Sequence, residues 1–582
     1  MARRIVRRSV ISDINQLDTS IHPVLKRIYS QRSLHTPEEL DYRLDRLIPY
    51  HSLTDIQIAV ELLTDAISQQ KSIFVVGDFD ADGATSTAIA VRALRAMGAV
   101  QLGYLVPDRF RYGYGLTPEI SRIAHERGAE LIVTVDNGIS SLEGVRTARE
   151  LGMMVLVTDH HLQGETLPDA NAIVNPNKRS DPFPSKALAG VGVIFYVMLA
   201  LRATLRERGW FEKNRIELPN LAQWLDIVAL GTVADVVPLD GNNRILVDQG
   251  LRRIRAGKSC PGIRALLDVA QRNESKAVAD DLAFYVGPRL NAAGRLEDMS
   301  IGIECLLTDD LVTARHHAAQ LQQLNQERRE IEQQMRDEAM QDLSAIHLRE
   351  NGEIPAGICL FDESWHQGVV GILASRVKEK YHRPTIAFAP TDNDEIKGSA
   401  RSIEGLHIRD LLDKIATRHP DILNKFGGHA MAAGLSLKKT HYARFSELFA
   451  QTVSAEMAHR EFEGIIESDG ELLANEMNMT VAALLREAGP WGQGFPQPIF
   501  DGRFAIEEQR IIGEKHLKLK LKHPQTARSY DAIAFNVMED EDVVALLEKK
   551  NEAQFAYKLD INEFRGRKSL QLQVEAICEL DS

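Results

Sequence analysis

From residue 72 onward, short apolar runs rich in β-branched residues alternate with segments that have the period of a helix. The predicted strands cover residues 73–76, 102–106, 131–135 and 155–157, and the predicted helices between them cover 84–97, 118–127 and 142–151. The strands are apolar on both faces, which is typical of a parallel sheet covered by helices on both sides. The pattern predicts a doubly wound α/β domain that runs to about residue 270.

Helices are predicted on either side of this sheet. Thr36, Pro37 and Glu39 have the spacing of a capping box, which opens a helix within the first 70 residues. Residues 311–347 contain neither Gly nor Pro and predict one long helix. Its apolar seam is interrupted at Arg328, so we expect a solvated connecting strut rather than a coiled coil. The seam consists of Leu321, Leu324, Ile331 and Met335.

Two more folded regions follow the long helix. Residues 352–455 predict a second α/β segment, with strands near 357–361 and 385–388. Residues 517–522 alternate leucine with lysine, which puts the leucines on a core face and the lysines in solvent. With further strand candidates at 553–561 and 569–577, the tail predicts a small β-barrel.

Composition restricts the class of protein. The chain has 582 residues, enough for about four domains, and its formal charge of −13 excludes a histone-like coat of nucleic acid. The four cysteines form no CxxC pair, so we expect neither a zinc knuckle nor disulfides, as in a cytosolic protein. The longest uncharged apolar stretch, 187–201, is too short to span a bilayer and predicts a buried helix. We therefore expect a soluble, cytoplasmic protein without membrane partners.

Motifs for nucleotide cofactors are missing from the sequence. Residues 255–259 end like a phosphate-binding loop, but Arg252 stands where that loop needs glycine. No GxGxxG follows the first strand, and no HExxH occurs. We expect no nucleotide cofactor.

Three aspartates, Asp78, Asp80 and Asp82, directly follow the first predicted strand. Their charges repel one another unless a cation neutralises them, and ligands of open α/β sheets bind beyond the carboxyl ends of the strands. An acidic turn that caps the next helix is the alternative explanation, because Asp is stabilising near a helix N-terminus.

Other metal-ligand types follow neighbouring elements. Asp136 follows the third strand and His160 the fourth, and parallel strands align their ends, so both converge with Asp80 and Asp82 on one crevice. Asp235 ends an otherwise apolar helix, where a carboxylate costs free energy unless it is paired. Carboxylates with one imidazole and no thiolate suit Mn²⁺ or Mg²⁺ rather than a structural zinc.

These motifs resemble those of the DHH phosphoesterase superfamily, which includes pyrophosphatases, oligonucleotide and cyclic-dinucleotide hydrolases and DNA exonucleases. The resemblance rests on GDFDADG at 77–83, VDNG at 135–138 and DHH at 159–161, and it continues in order through 105–109, 188–193, 287–295, 364–371 and 427–434. For the exonucleases specific for single-stranded DNA it covers nearly the whole chain. It implies an N-terminal helical region (1–70), a DHH catalytic domain (71–300), a connecting helix (301–350), a DHH-associated domain (351–460) and an oligonucleotide-binding (OB) barrel (461–582).

The resemblance also implies roles for the clustered residues. Asp80 and Asp82 each bind one of two Mg²⁺ or Mn²⁺ ions, Asp136 bridges both, and His160 and Asp235 complete the ligands of the second ion. Asp159 orients an imidazole, and His161 points at the scissile phosphate. Many members have a histidine four residues before the first metal aspartate, where this chain has Val76. Either the first ion is weakly held, or Asp78 replaces the histidine.

Residues outside the cluster are candidates for phosphate and nucleic-acid binding. They carry guanidinium groups, hydroxyls, imidazoles or exposed backbone amides, which suit anions; tight turns and satisfied core histidines are the alternatives for the glycines and histidines. The candidates are Arg109, Arg289, Asn291, Arg295, His366, Ser399, Arg401, Gly427, Gly428, His429, Lys518 and Lys520. By resemblance, Arg109, Arg289, Ser399 and Arg401 form a pocket for a 5′-terminal phosphate. Phe535, Phe555 and Tyr557 stack on bases or belong to the core.

Three functions follow from this reading. The resemblance favours a 5′→3′ exonuclease that hydrolyses single-stranded DNA to mononucleotides with two metal ions in DNA repair and recombination, with a single-strand-binding protein as a partner. A DHH-type hydrolase of pyrophosphate or short oligonucleotides is the second possibility, but it needs no basic β-tail. A non-catalytic single-strand-binding relative is the third, but it has no use for mutually repelling carboxylates.

Overall fold

The computed structural model describes residues 3–12, 20–108, 111–349, 354–391, 394–428, 430–457, 464–526, 528–539, 541–564 and 566–580. The strands are β1 (Arg3–Arg7), β2 (Ile73–Val76), β3 (Leu102–Leu105), β4 (Leu131–Val135), β5 (Met154–Thr158), β6 (Ala172–Val174), β7 (Ile358–Phe361), β8 (Thr385–Pro390), β9 (Glu395–Arg401), β10 (Lys425–Gly428), β11 (Ala432–Lys438), β12 (Gly464–Ser468), β13 (Phe500–Ile512), β14 (His516–Lys522), β15 (Ser529–Ala534), β16 (Glu552–Phe564) and β17 (Arg567–Cys578).

Among the described residues, helices outnumber strands in the first half of the chain. The α-helices are α1 (Pro23–Ser30), α2 (Ile56–Ser68), α3 (Ala81–Ala96), α4 (Pro118–Glu126), α5 (Leu142–Glu150), α6 (Gly190–Glu207), α7 (Trp210–Asn214), α8 (Leu225–Ala234), α9 (Gly241–Arg255), α10 (Pro261–Val269), α11 (Gly287–Leu296), α12 (Ser300–Leu307), α13 (Leu311–Arg349), α14 (Val370–Tyr381), α15 (Ile408–Arg418), α16 (Tyr442–Glu456), α17 (Met479–Glu487) and α18 (Glu541–Lys549). A π-helix, Asp281–Val286, leads directly into α11.

The chain divides into two compact units. The first unit comprises residues 10–325 and 484–497, and the second comprises 1–9, 326–483 and 498–582. The predicted domain boundaries follow the chain linearly, whereas both units are assembled from separate stretches of sequence. The five predicted domains stay a prediction.

The sheet of the first unit is parallel throughout, in the order β3-β2-β4-β5-β6. Apolar side chains from its strands and from α4 and α5 form the core on one face, among them Val76, Ile132, Val155, Ile120 and Val145. The helices α3, α6 and α8 are buried along most of their length. The doubly wound sheet and the buried helix predicted at 187–201 are confirmed. The chain leaves β2 first toward β3 and later returns beside β2 as β4, which makes the carboxyl ends of β2 and β4 the topological switch point.

The second unit contains a mixed sheet and a closed barrel. The sheet has the order β10-β11-β9-β8-β7, and the barrel has the order β13-β14-β15-β17-β16. In β14 the leucines Leu517, Leu519 and Leu521 are buried, while Lys518 and Lys522 are exposed, as the alternation predicted. The second α/β segment and the small barrel are confirmed.

Three local expectations are wrong. Thr36 and Glu39 do pair, with Glu39 Oε1 accepting from the Thr36 amide at 3.0 Å, but they open only a 3₁₀ turn, Pro37–Leu40. The N-terminal region is not purely helical, since β1 pairs in parallel with β12. The seam of α13 is buried rather than solvated: Leu321 and Met335 are buried, and Arg328 is paired with Glu332 at 2.7 Å.

No helix in the described part of the chain is both long and apolar enough to cross a membrane.

Candidate metal centre

The loop after β2 places Asp78, Asp80 and Asp82 at the switch point of the sheet. Asp80 is the N-cap of α3, and its Oδ1 accepts from the Gly83 amide at 3.0 Å. Asp82 lies in the first turn of the same helix, and both Asp78 and Asp82 are buried. The capping explanation therefore holds for Asp80, and the place of Asp82 in the first turn also agrees with it, but it does not explain the buried Asp78.

Asp136 follows β4 with a left-handed backbone, at a φ of 60°. The Asn137 side-chain amide donates to the carbonyls of Val76, at 3.0 Å, and Val135, at 2.8 Å, so it ties the ends of β2 and β4 together. A Cβ on Gly190 would lie 2.6 Å from the Asp136 Cβ, so only glycine allows α6 to start against this side chain. The Asp136 side chain is buried at this contact.

The start of α6 also holds Asp82. The amides of Gly190 and Val191 donate to Asp82 Oδ2 and Oδ1, at 2.6 and 2.9 Å. Amides at a helix N-terminus stabilise an anion, so this contact fixes a carboxylate in a buried place without a cationic side chain. Asp235 is the C-cap of α8.

Asp159 organises the two histidines that follow β5. Its Oδ1 accepts from the His160 amide at 2.7 Å, the His161 amide at 3.1 Å and His161 Nδ1 at 2.8 Å, and its Oδ2 accepts from the Ile139 amide at 2.9 Å. Asp159 is buried. It therefore fixes the ring of His161 and, by accepting at Nδ1, keeps a proton on that nitrogen.

Candidate ligand atoms converge in three overlapping groups. Within each group the atoms lie within 4.8 Å of one another. The groups are Asp78 with Asp80 and Asp136, Asp82 with His160 and Asp235, and Asp136 with His160 and His161. His160 Nε2 lies 3.1 Å from Asp136 Oδ1 and 3.5 Å from Asp235 Oδ2. Asp136 and His160 therefore link what would otherwise be separate clusters.

Burial and mutual repulsion oppose ionisation in these groups. Burial is the largest cause that raises the pKa of Asp82, Asp136 and Asp235, and the charges of neighbouring aspartates raise it further. For Asp82 the pKa rises to about 7. Divalent cations remove both penalties because they replace water as partners and neutralise the repulsion.

The Asp159–His161 pair behaves in the opposite way. Burial would raise the pKa of Asp159, but the hydrogen bond and charge of His161 outweigh it, so the pKa is lowered. Burial would lower the pKa of His161, but the hydrogen bond to Asp159 and nearby carboxylates raise it to about 9. In the metal-free protein the pair therefore favours an imidazolium beside a carboxylate.

The residues present fit divalent metal ions. The buried Oδ1 of Asp136 accepts no hydrogen bond within the described residues, although His160 Nε2 lies 3.1 Å away. An unsatisfied buried carboxylate oxygen is costly unless something pairs with it. Oxygen ligands with one or two imidazoles suit Mn²⁺ and Mg²⁺.

Comparison with known proteins agrees with this architecture. Residues 72–232 match the model of the N-terminal domain of the DHH family, 354–455 match the DHHA1 domain, and 468–576 match the RecJ OB domain. The single-stranded-DNA-specific exonuclease RecJ of Salmonella typhimurium is 52% identical over 582 residues, which cover 99% of this chain and 100% of the relative.

The chain belongs to the RecJ family. The crystal structure of RecJ from Thermus thermophilus in complex with Mn²⁺ superposes with a TM-score of 0.79 at 29% identity, covering all of this chain and 80% of that one. Its Mg²⁺ complex gives a TM-score of 0.73 at 28% identity, covering all of this chain and 78% of that one. The resemblance to DHH phosphoesterases, the α/β class and the OB-type barrel are confirmed.

Helix α11 carries three of the phosphate-binding candidates in this RecJ-family chain. Asn291 Oδ1 accepts from the Ala81 amide at 2.8 Å, so it positions the loop that carries the aspartates. Arg289 is buried, and its Nη1 donates to the carbonyl of Tyr285. Arg295 is half-buried on the same helix. Arg109 and His429 lie outside the described residues.

In the second unit, Ser399 and Arg401 lie close together on β9. Arg401 Nη1 donates to Ser399 Oγ at 3.1 Å and to the Ala400 carbonyl at 2.9 Å. A Cβ on Gly371, in the first turn of α14, would lie 2.9 Å from both Arg401 Nη2 and Ser399 Oγ. A guanidinium, a hydroxyl and a helix N-terminus thus meet at one place, a combination that suits an anion.

The other candidates of the second unit are placed as follows. His366 is half-buried, and its Nδ1 accepts from the Gly368 amide at 3.1 Å, so it has a local structural role. Gly427 and Gly428 end β10, and Gly428 has a φ of 145°, which favours glycine. Lys518 is exposed on β14, and Lys520 Nζ lies 3.5 Å from Glu508.

The aromatic candidates of the tail separate by burial. Phe555 and Tyr557 lie in the barrel core, so base stacking is wrong for them. Phe535 is exposed and packs edge-on against His516. Stacking of Phe535 on a DNA base stays a prediction.

Tyr114 was missed at the sequence level. Its hydroxyl donates to the Asp136 carbonyl at 3.2 Å and lies 3.3 Å from His161 Nδ1. The signal was an aromatic residue between Gly113 and Gly115 in the loop after β3. Without the fold, nothing in that pattern connects Tyr114 with a histidine 47 residues away.

Proposed function

We propose that this chain is a metal-dependent exonuclease that hydrolyses single-stranded DNA from its 5′ end to mononucleotides, in DNA repair and recombination. The observation that carries the proposal is the overlap of the ligand groups at Asp136 and His160. Two ligand groups that a third group links are what a pair of metal ions with a shared ligand requires.

The assignment of ligands follows the grouping. Asp78, Asp80 and Asp136 would hold one divalent ion, and Asp82, His160 and Asp235 would hold the other. Asp136, whose Oδ1 lies 3.1 Å from His160 Nε2, would be the shared ligand. Asp78 takes the place of the histidine that Val76 replaces, because its carboxylate is buried beside those of Asp80 and Asp136. When bound, two such ions supply positive charge for the phosphodiester and lower the pKa of a nucleophilic water.

The residues of the chain then do the positioning. Asp159 holds the His161 ring in place by accepting from its Nδ1 at 2.8 Å, so that His161 would contact the scissile phosphate and stabilise its negative charge. The Tyr114 hydroxyl, 3.3 Å from His161 Nδ1, would also restrict the rotation of this ring. No covalent enzyme intermediate is needed, because water held at the two ions would supply the attacking oxygen.

The residues that bind the 5′-terminal phosphate would recognise the 5′ end of the strand. Ser399 and Arg401 form the anion site in the second unit, and Arg109, Arg289, Arg295, His429 and the glycines at 427–428 are further candidates. The polarity of degradation rests on the family resemblance. The exposed lysine face of β14 would contact the phosphate backbone of single-stranded DNA.

A DHH-type hydrolase of pyrophosphate or short oligonucleotides is the alternative function. The match of residues 468–576 to the RecJ OB domain favours a longer single strand as substrate. A single-strand-binding protein as partner, the absence of a nucleotide cofactor and a cytoplasmic location stay predictions.

End-labelled DNA tests the proposal. We expect mononucleotides from single strands with an accessible 5′ end, in the presence of Mg²⁺ or Mn²⁺, and none in EDTA. Strands whose 5′ end is buried in a duplex serve as the matched control. Release from the 3′ end, cleavage of blunt duplexes or activity in EDTA would overturn the assignment.

A further inference from the structure

The start of α9 ties together two segments that lead to the metal centre. Asn243 is fully buried, and its side-chain amide donates to the carbonyl of Ala187 at 2.7 Å and to that of Pro238 at 2.9 Å. Ala187 lies three residues before Gly190, where α6 begins. Pro238 lies three residues after the candidate ligand Asp235. One side chain therefore bridges the approach to α6 and the loop that follows α8.

A second contact holds the approach to α6 against the start of α9. Asp240 is the N-cap of α9, and its Oδ1 accepts from the Asn243 amide at 2.9 Å. Its Oδ2 accepts from the hydroxyl of the buried Ser185 at 2.5 Å. The next residues before α6, Leu188 and Ala189, are fully buried, so a displacement of this segment has to reach the helix itself.

Hydrogen bonds, rather than packing, fix the loop after α8. Val236 is 62% exposed and Pro238 is also exposed. Val236 has a φ of 61°, a left-handed conformation that is strained for a β-branched residue and persists only where the surroundings impose it. The restraints follow directly, since Asn243 holds the Pro238 carbonyl and the Leu239 amide donates to the Gln493 carbonyl at 2.7 Å.

The two tied segments supply both carboxylates of one candidate ligand group. The amides of Gly190 and Val191 hold Asp82 at the start of α6. Asp235 directly precedes the restrained loop, and these two aspartates form a ligand group with His160. Metal–ligand distances vary by only about 0.2 Å, so the separation of the two segments decides whether both carboxylates reach the same ion.

We propose that Asn243 is a positioning residue of the metal centre, which sets the separation of Asp82 and Asp235 by bridging the segments that carry them. The inference rests on the proposed function and deepens it, because it assigns a residue to the second ion, the one held by the Asp82 group. Asn243 acts through the backbone of these segments. Both of its partners are carbonyl acceptors, so the task needs two N–H donors on one short side chain.

Mn²⁺ binding tests the positioning role without catalysis. Asn243→Leu keeps roughly the size of the side chain and removes both hydrogen bonds. We expect the second ion to bind at least about tenfold more weakly, while the affinity for the first changes little. Calorimetry measures both affinities. At intermediate Mn²⁺, the variant should give the EPR spectrum of a single ion where the unsubstituted protein gives that of a coupled pair.

Asn242→Leu is the matched control. Asn242 is also buried in the first turn of α9, and its Oδ1 accepts from the Ile48 amide at 3.1 Å and from the Tyr196 hydroxyl at 2.8 Å. This variant also loses two hydrogen bonds, but neither of them reaches the segment before α6 or the loop after α8. Its unfolding temperature in EDTA should fall about as far as that of Asn243→Leu, and both Mn²⁺ affinities should stay unchanged.

Equal weakening of both ions in Asn243→Leu, or the same loss in Asn242→Leu, would overturn the positioning role. If Asn243→Leu does not fold, Ser185→Ala provides the test, because it removes only the contact with Asp240. It should weaken the second ion roughly 2- to 10-fold, and an unchanged affinity would overturn the inference. Absence of single-strand exonuclease activity in an unsubstituted protein that binds two Mn²⁺ ions refutes the proposed function alone.

Discussion

Asp136 adopts a left-handed backbone at the carboxyl end of β4, and its carboxylate belongs to two of the three candidate ligand groups. Its surroundings raise its pKa well above the ordinary value, burial first and the neighbouring aspartates second. Among single residues, it shows most clearly that the metal-free fold carries an electrostatic cost at this centre.

The sign of this cost follows from the raised pKa values. A carboxyl with a raised pKa in the folded state contributes stability below its unfolded value, and that contribution is lost as the pH rises through the folded value. For Asp82 the window runs from its ordinary value of 3.8 to about 7. The metal-free protein should therefore become less stable between about pH 4 and 7, and Mn²⁺ should reverse the loss. Thermal unfolding across this pH range, in EDTA and in Mn²⁺, measures both; a flat metal-free profile would contradict the raised values.

Asp136→Asn removes one charge from the centre of the cluster. We expect the metal-free variant to be more stable than the original at pH 8, by roughly 1–4 kcal/mol, and to gain little when Mn²⁺ is added. Chemical unfolding in EDTA and in Mn²⁺ measures both effects. Asp169→Asn, at an exposed position, is the control and should change neither. A variant that Mn²⁺ still stabilises fully would contradict the bridging role of Asp136.

Asp159→Asn tests positioning separately from metal binding. The substitution keeps the size of the side chain but removes the charge that fixes His161 at 2.8 Å. We expect kcat to fall about 10- to 100-fold while the KM and Mn²⁺ uptake change little. A parallel loss of metal uptake would show that Asp159 acts on the ligands themselves.

Among the elements, the start of α6 decides whether the carboxylates of Asp82 and Asp136 lie close enough to share an ion. Its amides hold Asp82, and Gly190 leaves the space that the Asp136 side chain occupies. The parallel sheet brings the loops after β2 and β4 to one edge. The start of α6 then holds the carboxylates of Asp82 and Asp136 within range of a shared ion.

Gly190→Ala should therefore damage the metal centre more than its size suggests. The new Cβ would lie 2.6 Å from the Asp136 Cβ, so one of the two elements has to shift. We expect Mn²⁺ affinity measured by calorimetry to fall at least about tenfold. Gly164→Ala is the matched control, because its Cβ has no neighbour closer than 3.9 Å. Equal Mn²⁺ affinities in the two variants would contradict this account.

Across the molecule as a whole, the two units are built from distant parts of the sequence. Residues 484–497 belong with 10–325, since Leu239 donates its amide to the Gln493 carbonyl at 2.7 Å. Phe495 is buried, stacks on Trp491 at 5.0 Å and lies 4.5 Å from the Arg244 guanidinium. A deletion of 465–582 would therefore remove part of the first unit together with the barrel.

Phe495→Ala should destabilise the unit that contains the metal centre, although it lies far along the chain from every ligand. Loss of a buried aromatic side chain costs about 3–5 kcal/mol. Hydrogen exchange should show reduced protection in α1 and α9, which carry Tyr29 and Arg244. The exposed Phe535→Ala is the control. Reduced protection confined to the barrel strands would contradict the expectation.

Local features that repeat along the chain could be predicted from the sequence. Apolar strands, amphipathic helices and the leucine–lysine alternation of β14 are encoded by neighbouring residues, so they were predicted correctly. The aspartates and histidines after β2, β4 and β5 were identifiable because parallel strands align their ends. The short capping box at Thr36 was misleading, because the same local pattern opens a single 3₁₀ turn as well as a long helix.

Contacts between residues far apart in the sequence required the folded structure. The glycine at 190 that makes room for Asp136, the tyrosine at 114 beside His161 and the segment 484–497 in the first unit leave no periodic signal. The sequence also did not decide which aromatic side chains are buried. Phe555 and Phe535 are the same residue type, but Phe555 lies in the barrel core and Phe535 is exposed to solvent. Which carboxylates share an ion depends on distances of a few ångströms, and packing between distant segments sets those distances.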